Sequence, residues 1–191
     1  MEQAKLGKIK LLFVDASHFV MGGFCGAIWT KARRYVMTAS GRQRYNVLGA
    51  LDFVSKKVET ITNSTYITAT EVIALIDKLT NLYSGSCIKL VMDNARYQHC
   101  KAVIEHAAAV GVELIFLPTY SPNLNLIERL WKFVKAEVLN AAYHSTFDGF
   151  IEAIDNCVQS THTIHKKRID SLISEKVQFF GNTVKQMLIA A

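Results

Sequence analysis

The chain has 191 residues, half of them hydrophobic, a fifth charged and only two proline. That composition excludes disordered, collagenous and low-complexity classes, and the length is enough for one domain to bury a core without disulfides or a structural metal. Lys and Arg outnumber Asp and Glu by 22 to 16, a formal net charge of +6, which admits a polyanionic partner but needs a geometry before it argues for one.

In chain order, residues 9–14 form a short apolar run that predicts a strand. Asp15 and His18 follow it, and they interrupt the apolar stretch that a secretory signal would need. Four further segments, 24–29, 34–39, 45–53 and 57–61, are rich in β-branched and aromatic residues and suit antiparallel hairpins. From Thr68 the period changes. Thr68 or Thr70 can cap a helix with Val72, Ile73, Leu75, Ile76 and Leu79 on one face, ending near Gly85. A buried-type strand over 87–92, a helix over 98–110 stopped by Gly111, and a second buried strand over 112–117 stopped by Pro118 complete a β-α-β-α-β progression. After a Pro- and Asn-containing loop, Asn125 and Glu128 have the spacing of a capping box for a helix with Ile127, Leu130, Trp131, Val134 and Val138 on its apolar stripe. Helices over 147–159 and 171–180 finish the chain. The expected fold class is a mixed α/β sheet, three antiparallel strands and then β-α-β-α, with helices on both faces, in one domain over 1–191.

Cys25, Cys87, Cys100 and Cys157 show no CxxC pair and no short Cys/His spacing, so they read as small buried hydrophobes in a reducing compartment. No run reaches the length of a membrane span, because the best candidate contains Gly111 and Glu113. A soluble, cytoplasmic protein is expected.

The chemistry is carried by acids. Asp15 is expected to end the first strand and Asp93 follows the strand ending at Met92, while Glu128 lies in the first turn of a later helix. Neighbouring strands would bring the two aspartates to one sheet edge, where open α/β sheets collect their ligands. Clustered carboxylates repel unless divalent cations neutralise them, and magnesium or manganese suits an all-oxygen set. Two such ions would clamp the attacking and leaving oxygens of a phosphodiester. The plainer alternative is that Asp15 and Asp93 form turns and Glu128 only closes its capping box.

Several ordered motifs carry a resemblance. Phe13-Val-Asp-Ala-Ser17, Gly41-Arg-Gln-Arg-Tyr-Asn46, Leu48-Gly-Ala50, Val91-Met-Asp-Asn-Ala-Arg-Tyr97 and the run Phe116 to Lys132 resemble the catalytic domain of DDE transposases. The similar branch is the bacterial insertion-sequence branch of the Tc/mariner superfamily, the six-thirty group, whose spacing matches the 34 residues lying between Asp93 and Glu128. The resemblance implies a ribonuclease-H-like fold with Asp15, Asp93 and Glu128 as catalytic and metal-binding triad and two Mg2+ or Mn2+ ions. It also implies DNA cleavage at transposon ends followed by 3′-hydroxyl strand transfer into target DNA, on a homodimer assembled with DNA, with no small-molecule substrate and no membrane partner. Leu126 and Gln98 depart from the family pattern, which often has Pro and His there. Relatives carry an N-terminal helix-turn-helix, and nothing before Lys8 supplies one. The chain therefore reads as a catalytic portion.

Lys31, Arg33, Arg34, Arg42 and Arg44 fall in a stretch without acids and can hold DNA phosphates or simply face solvent. Lys132 and Lys135, at i+4 and i+7 from Glu128, share its helix face and are the better phosphate candidates. Asn94 can orient a carboxylate, touch DNA or form a turn. Trp131 reads as core, and Lys166 to Arg168 as a solvated loop or an interdomain contact. A non-catalytic, transposase-derived DNA-binding or assembly module is the alternative; retained acids beside DNA phosphates count against it.

Overall fold

The computed structural model describes residues 1–22, 31–32, 42–118, 124–140 and 142–173. A five-stranded sheet has the order β3-β2-β1-β4-β5, formed by β1 (Lys10–Val20), β2 (Arg44–Asp52), β3 (Val58–Asn63), β4 (Ile88–Met92) and β5 (Glu113–Phe116). The first three strands pair antiparallel, and β4 and β5 add in parallel on the other side of β1. The expected mixed sheet is observed. The strands expected over 24–29 and 34–39 lie outside the described residues.

Alternation along β1 explains the layering. Phe13 points to a core shared with α4 (Leu126–Leu139), α5 (Phe147–Gln159) and α6 (Lys166–Leu172), through Ile127, Trp131, Phe150 and Ile169. Leu12 and Val14 point to the opposite core, where α2 (Ala69–Leu82) and α3 (Lys101–Ala109) contribute Val72, Leu75, Ile76, Val103 and Ala107. A period of two therefore divides one strand between two cores, so both faces of the sheet are covered. A short α1 (Glu2–Lys5) precedes the sheet.

Local signals act largely as read. Thr68 caps α2, accepting from the Thr70 amide at 3.2 Å, while Glu71 accepts from the Thr68 amide at 2.7 Å. Gly111, at φ 73°, follows α3 and lets the chain turn into β5. Some boundaries differ from expectation. Lys166 to Arg168 open α6 rather than a loop, because Lys166 pairs with Asp170 one turn on and Arg168 reaches Glu137 of α4. The helix expected over 171–180 meets only the end of α6, and residues 174–180 lie outside the described residues. Cys157 is buried as expected, whereas Cys87, in the turn before β4, is exposed.

Candidate active site

The two aspartates meet because β1 outruns β4. The parallel ladder ends at the pair Val14 with Met92, while β1 continues beside β2 to Val20. Asp15 is thus in the middle of its strand, correcting the expectation that it ends the strand. It stands at the first position where β1 has lost its parallel neighbour, and Asp93 is the first residue beyond that neighbour. The two backbones enter this step about 4.8 Å apart.

Asp15 projects to the same face as Phe13, and there α4 crosses the sheet. Opposite Asp15 in β2 is Gly49, against which Trp131 packs. That contact brings the first turn of α4, with Glu128, over the edge where the aspartates emerge. Burial and, next, the Asp93 carboxylate push Asp15 up to about 7; the Glu128 carboxylate adds to this, while the Ala16 amide and the Lys135 ammonium oppose it. Glu128 is raised by its own burial and by Asp93, and Lys132 opposes this. The three acids therefore share one electrostatic environment. Tyr97 faces the same field, its hydroxyl pushed up to about 12 by burial and by Asp15 and Asp93.

Asn125 does not do what its spacing suggested. It occupies the N-cap of α4, yet its side chain makes no capping bond, forgoing a contribution of about 0.5–2 kcal/mol. Its Nδ2 donates instead to the Val14 carbonyl and to Asp93 Oδ1, both at 3.1 Å. With Nδ2 turned to the Val14 carbonyl and the half-buried Asp93 carboxylate, Oδ1 takes no helix amide, and the capping box expected with Glu128 does not form. Sequence reasoning missed this role. The visible signal was an Asn adjoining a helix that starts at an acidic edge.

The other candidates distribute around this centre. Lys132 is exposed and bears on Glu128, and Lys135 bears on Asp15 with its ammonium 5.6 Å from the centre of the Phe19 ring. Both are brought to the site. Asn94 is exposed beside Asp93. Arg42 and Arg44 are exposed, but Arg44 pairs with Val20, five residues from the partner of Asp15, or about 17 Å along the strand. Those arginines do not join the acidic centre. Lys31 is exposed too, and Arg33 and Arg34 lie outside the described residues. His18 hydrogen-bonds Asn46 Oδ1 at 2.7 Å, and His99 packs on Phe116 with ring centres 4.5 Å apart. Trp131 is core, 4% exposed.

Among the described residues no three His, Cys, Asp or Glu side chains form a ready-made metal cage. The donor set nevertheless fits a hard divalent cation: all-oxygen, net anionic, and destabilised in its charged form by burial and mutual repulsion, which a cation would relieve.

The family model described as DDE superfamily endonuclease matches residues 10–151. The chain belongs to the DDE superfamily of endonucleases. None of the curated proteins matches it. In this DDE domain the sheet and its covering helices are similar to those of solved relatives. The Mos1 transposase paired-end complex with left transposon end aligns with a TM-score of 0.63 at 12% identity, over 94% of this chain and 59% of that one. The catalytic core domain of HTLV-2 integrase, in complex with magnesium, aligns at 0.51 and 13% identity, over 82% and 88%. The intasome of simian T-cell lymphotropic virus aligns at 0.55 and 13%, over 91% of this chain and 57% of that one. The chain thus spans somewhat over half the length of the transposase and intasome chains. At these identities the likeness is one of fold, a ribonuclease-H-like DDE sheet. No helix among the described residues is long and apolar enough to cross a membrane.

Proposed function

We propose that this DDE domain is the catalytic domain of a transposase, cutting DNA at transposon ends and joining the freed 3′-hydroxyl to target DNA. The observation that carries the proposal is the electrostatic coupling of Asp15, Asp93 and Glu128 at the step where β1 outruns β4. Support comes from the relatives: a transposase bound to its transposon end and an integrase core with magnesium share the fold.

Asp15, Asp93 and Glu128 would hold two divalent ions, Mg2+ or Mn2+. Bound there, the ions would supply activation of water or hydroxyl and stabilisation of charge on the phosphate. The chain's own groups do the rest. The carboxylates supply the oxygen donors and set their protonation, since Asp15 must lose its proton to serve. Lys132 and Lys135, on the helix face that carries Glu128, hold DNA phosphates and place the scissile bond. Asn94 stands where it can touch the strand. Arg44, at the start of β2, and Arg42, just before it, hold flanking backbone. No Ser, Cys or Tyr nucleophile is needed when metal ions activate water or hydroxyl, and burial and the neighbouring aspartates push the Tyr97 hydroxyl still further from ionisation, up to about 12.

The reading includes a homodimer assembled on transposon-end DNA and action in the prokaryotic cytoplasm. Incubation of the protein with DNA carrying the parent element's ends tests it. Nicking and joining are expected only with Mg2+ or Mn2+ and are abolished by Asp93→Asn. DNA binding with no cleavage under any metal would instead favour a non-catalytic assembly module.

A further inference from the structure

We infer that Asn125 is a positioning residue of the acidic site, tying Asp93 to the backbone beside Asp15 and to the start of the helix that carries Glu128. The inference rests on the carboxylate assignment proposed above.

The side chain is buried, with 1% of the residue exposed. Both protons of its Nδ2 are used, one on the Val14 carbonyl and one on Asp93 Oδ1. A carbonyl and a carboxylate can only accept, so chemistry fixes which end of the amide faces them. The backbone carbonyl of the same residue accepts from the Glu128 amide at 3.1 Å. One residue therefore contacts β1 next to Asp15, the carboxylate of Asp93, and the first turn of α4 at Glu128. The bond to Asp93 is charge-assisted and restricts rotation of that carboxylate.

A residue kept only to cap α4 would not look like this. An N-cap asparagine accepts from the first helical amides through Oδ1, but here Oδ1 is buried and has no hydrogen-bond partner. A buried acceptor left unpaired is costly, and such groups concentrate where function fixes the geometry. Partners that orient carboxylate ligands behave in this way, and their loss typically weakens metal affinity about 10–100-fold.

The test uses the full chain as wild type, Asn125→Ser and Asn125→Asp. Three quantities are measured: free Mn2+ by electron paramagnetic resonance, Mn2+-dependent nicking of supercoiled plasmid, and thermal unfolding without metal. Serine caps helices well but is too short to reach Val14 and Asp93. It should lower the unfolding temperature in part, because the Val14 carbonyl loses a donor, and weaken Mn2+ binding by about 10–100-fold in protein that is still folded. Aspartate keeps the size but its carboxylate cannot donate to either acceptor, and it should slow nicking at saturating Mn2+ by about tenfold or more. Wild-type Mn2+ affinity in Asn125→Ser, or a wild-type rate in Asn125→Asp, would overturn the inference. A check that needs no variant is the wild-type Asn125 side-chain amide. Its protons should exchange slowly with solvent, and fast exchange would overturn the inference as well. A wild type that neither binds Mn2+ nor nicks defeats the underlying reading of the site; an active wild type with unaltered variants defeats this inference alone.

Discussion

Trp131 occupies the space that any side chain at Gly49 would need. A Cβ at position 49 would lie 2.7 Å from Trp131 Cζ2 and 2.8 Å from Cη2, and Gly49 is the register partner of Asp15. The helix that carries Glu128 is thus seated directly on the strand pair that carries Asp15. Gly49→Ala should destabilise the domain by about 1–3 kcal/mol in urea unfolding, because the ring and the backbone beneath it cannot both stay. Trp131→Phe removes the clashing atoms, and Trp131 Nε1 has no hydrogen bond to lose. The double variant should therefore be more stable than the sum of the two losses implies. Strict additivity would show that the contact does not set the helix seat.

Asp15 gives stability a definite pH dependence. Its folded carboxyl is raised from 3.8 to about 7, so between those values the folded chain keeps a proton that the unfolded chain has released. The stabilisation is full below the unfolded value and is lost as pH rises toward 7. Wild type should lose stability relative to Asp15→Asn over this window, and Mn2+ should stabilise wild type more at pH 8 than at pH 5.5, since metal and proton compete. Parallel unfolding curves for the two proteins would contradict this.

Asp52 separates stability from chemistry. It is 2% exposed, accepts from the Val54 and Ser55 amides at 2.8 Å each, and meets the Lys10 ammonium at 3.3 Å. Its register partner is Leu12, three residues before Asp15, or about 10 Å along β1. Asp52→Ala should cost about 2–4 kcal/mol in chemical denaturation, because the two turn amides and the lysine lose their acceptor. Its Mn2+ affinity should stay at the wild-type value; a large loss would mean the site is coupled to the far end of the sheet.

Much of this was legible in the sequence because the signals were local. The apolar run that opens β1, the caps at Thr68 and Gly111, and the apolar stripe with Trp131 each act over a few residues and specify their own element. The change of period at Thr68 marked where the antiparallel strands give way to the β-α-β-α half, but not which strands are neighbours. What the sequence could not show depended on contacts between distant segments. Nothing within β1 says that its antiparallel partner is longer than its parallel one, so Asp15 looked like a strand end. Asn125 looked like a cap because the acceptors its Nδ2 serves, Val14 and Asp93, lie 111 and 32 residues away. Lys166 to Arg168 looked like loop because Glu137, which steadies Arg168, belongs to another helix.

Lys132 and Lys135 should behave as phosphate contacts. Each changed to Gln should weaken binding to duplex DNA of any sequence to a similar degree and lower the slope of log affinity against log salt by about 1. Fluorescence anisotropy over a salt series reads both effects. An unchanged slope would remove that lysine from the DNA face.

The acidic centre itself is tested most directly by calorimetric titration of Mn2+ into wild type, Asp93→Asn and Glu128→Gln at pH 7.5. Wild type should bind, with each substitution weakening binding by about tenfold or more while the protein stays folded. Equal binding by all three, or none by wild type, would contradict the assignment of Asp15, Asp93 and Glu128 as the site of the chemistry.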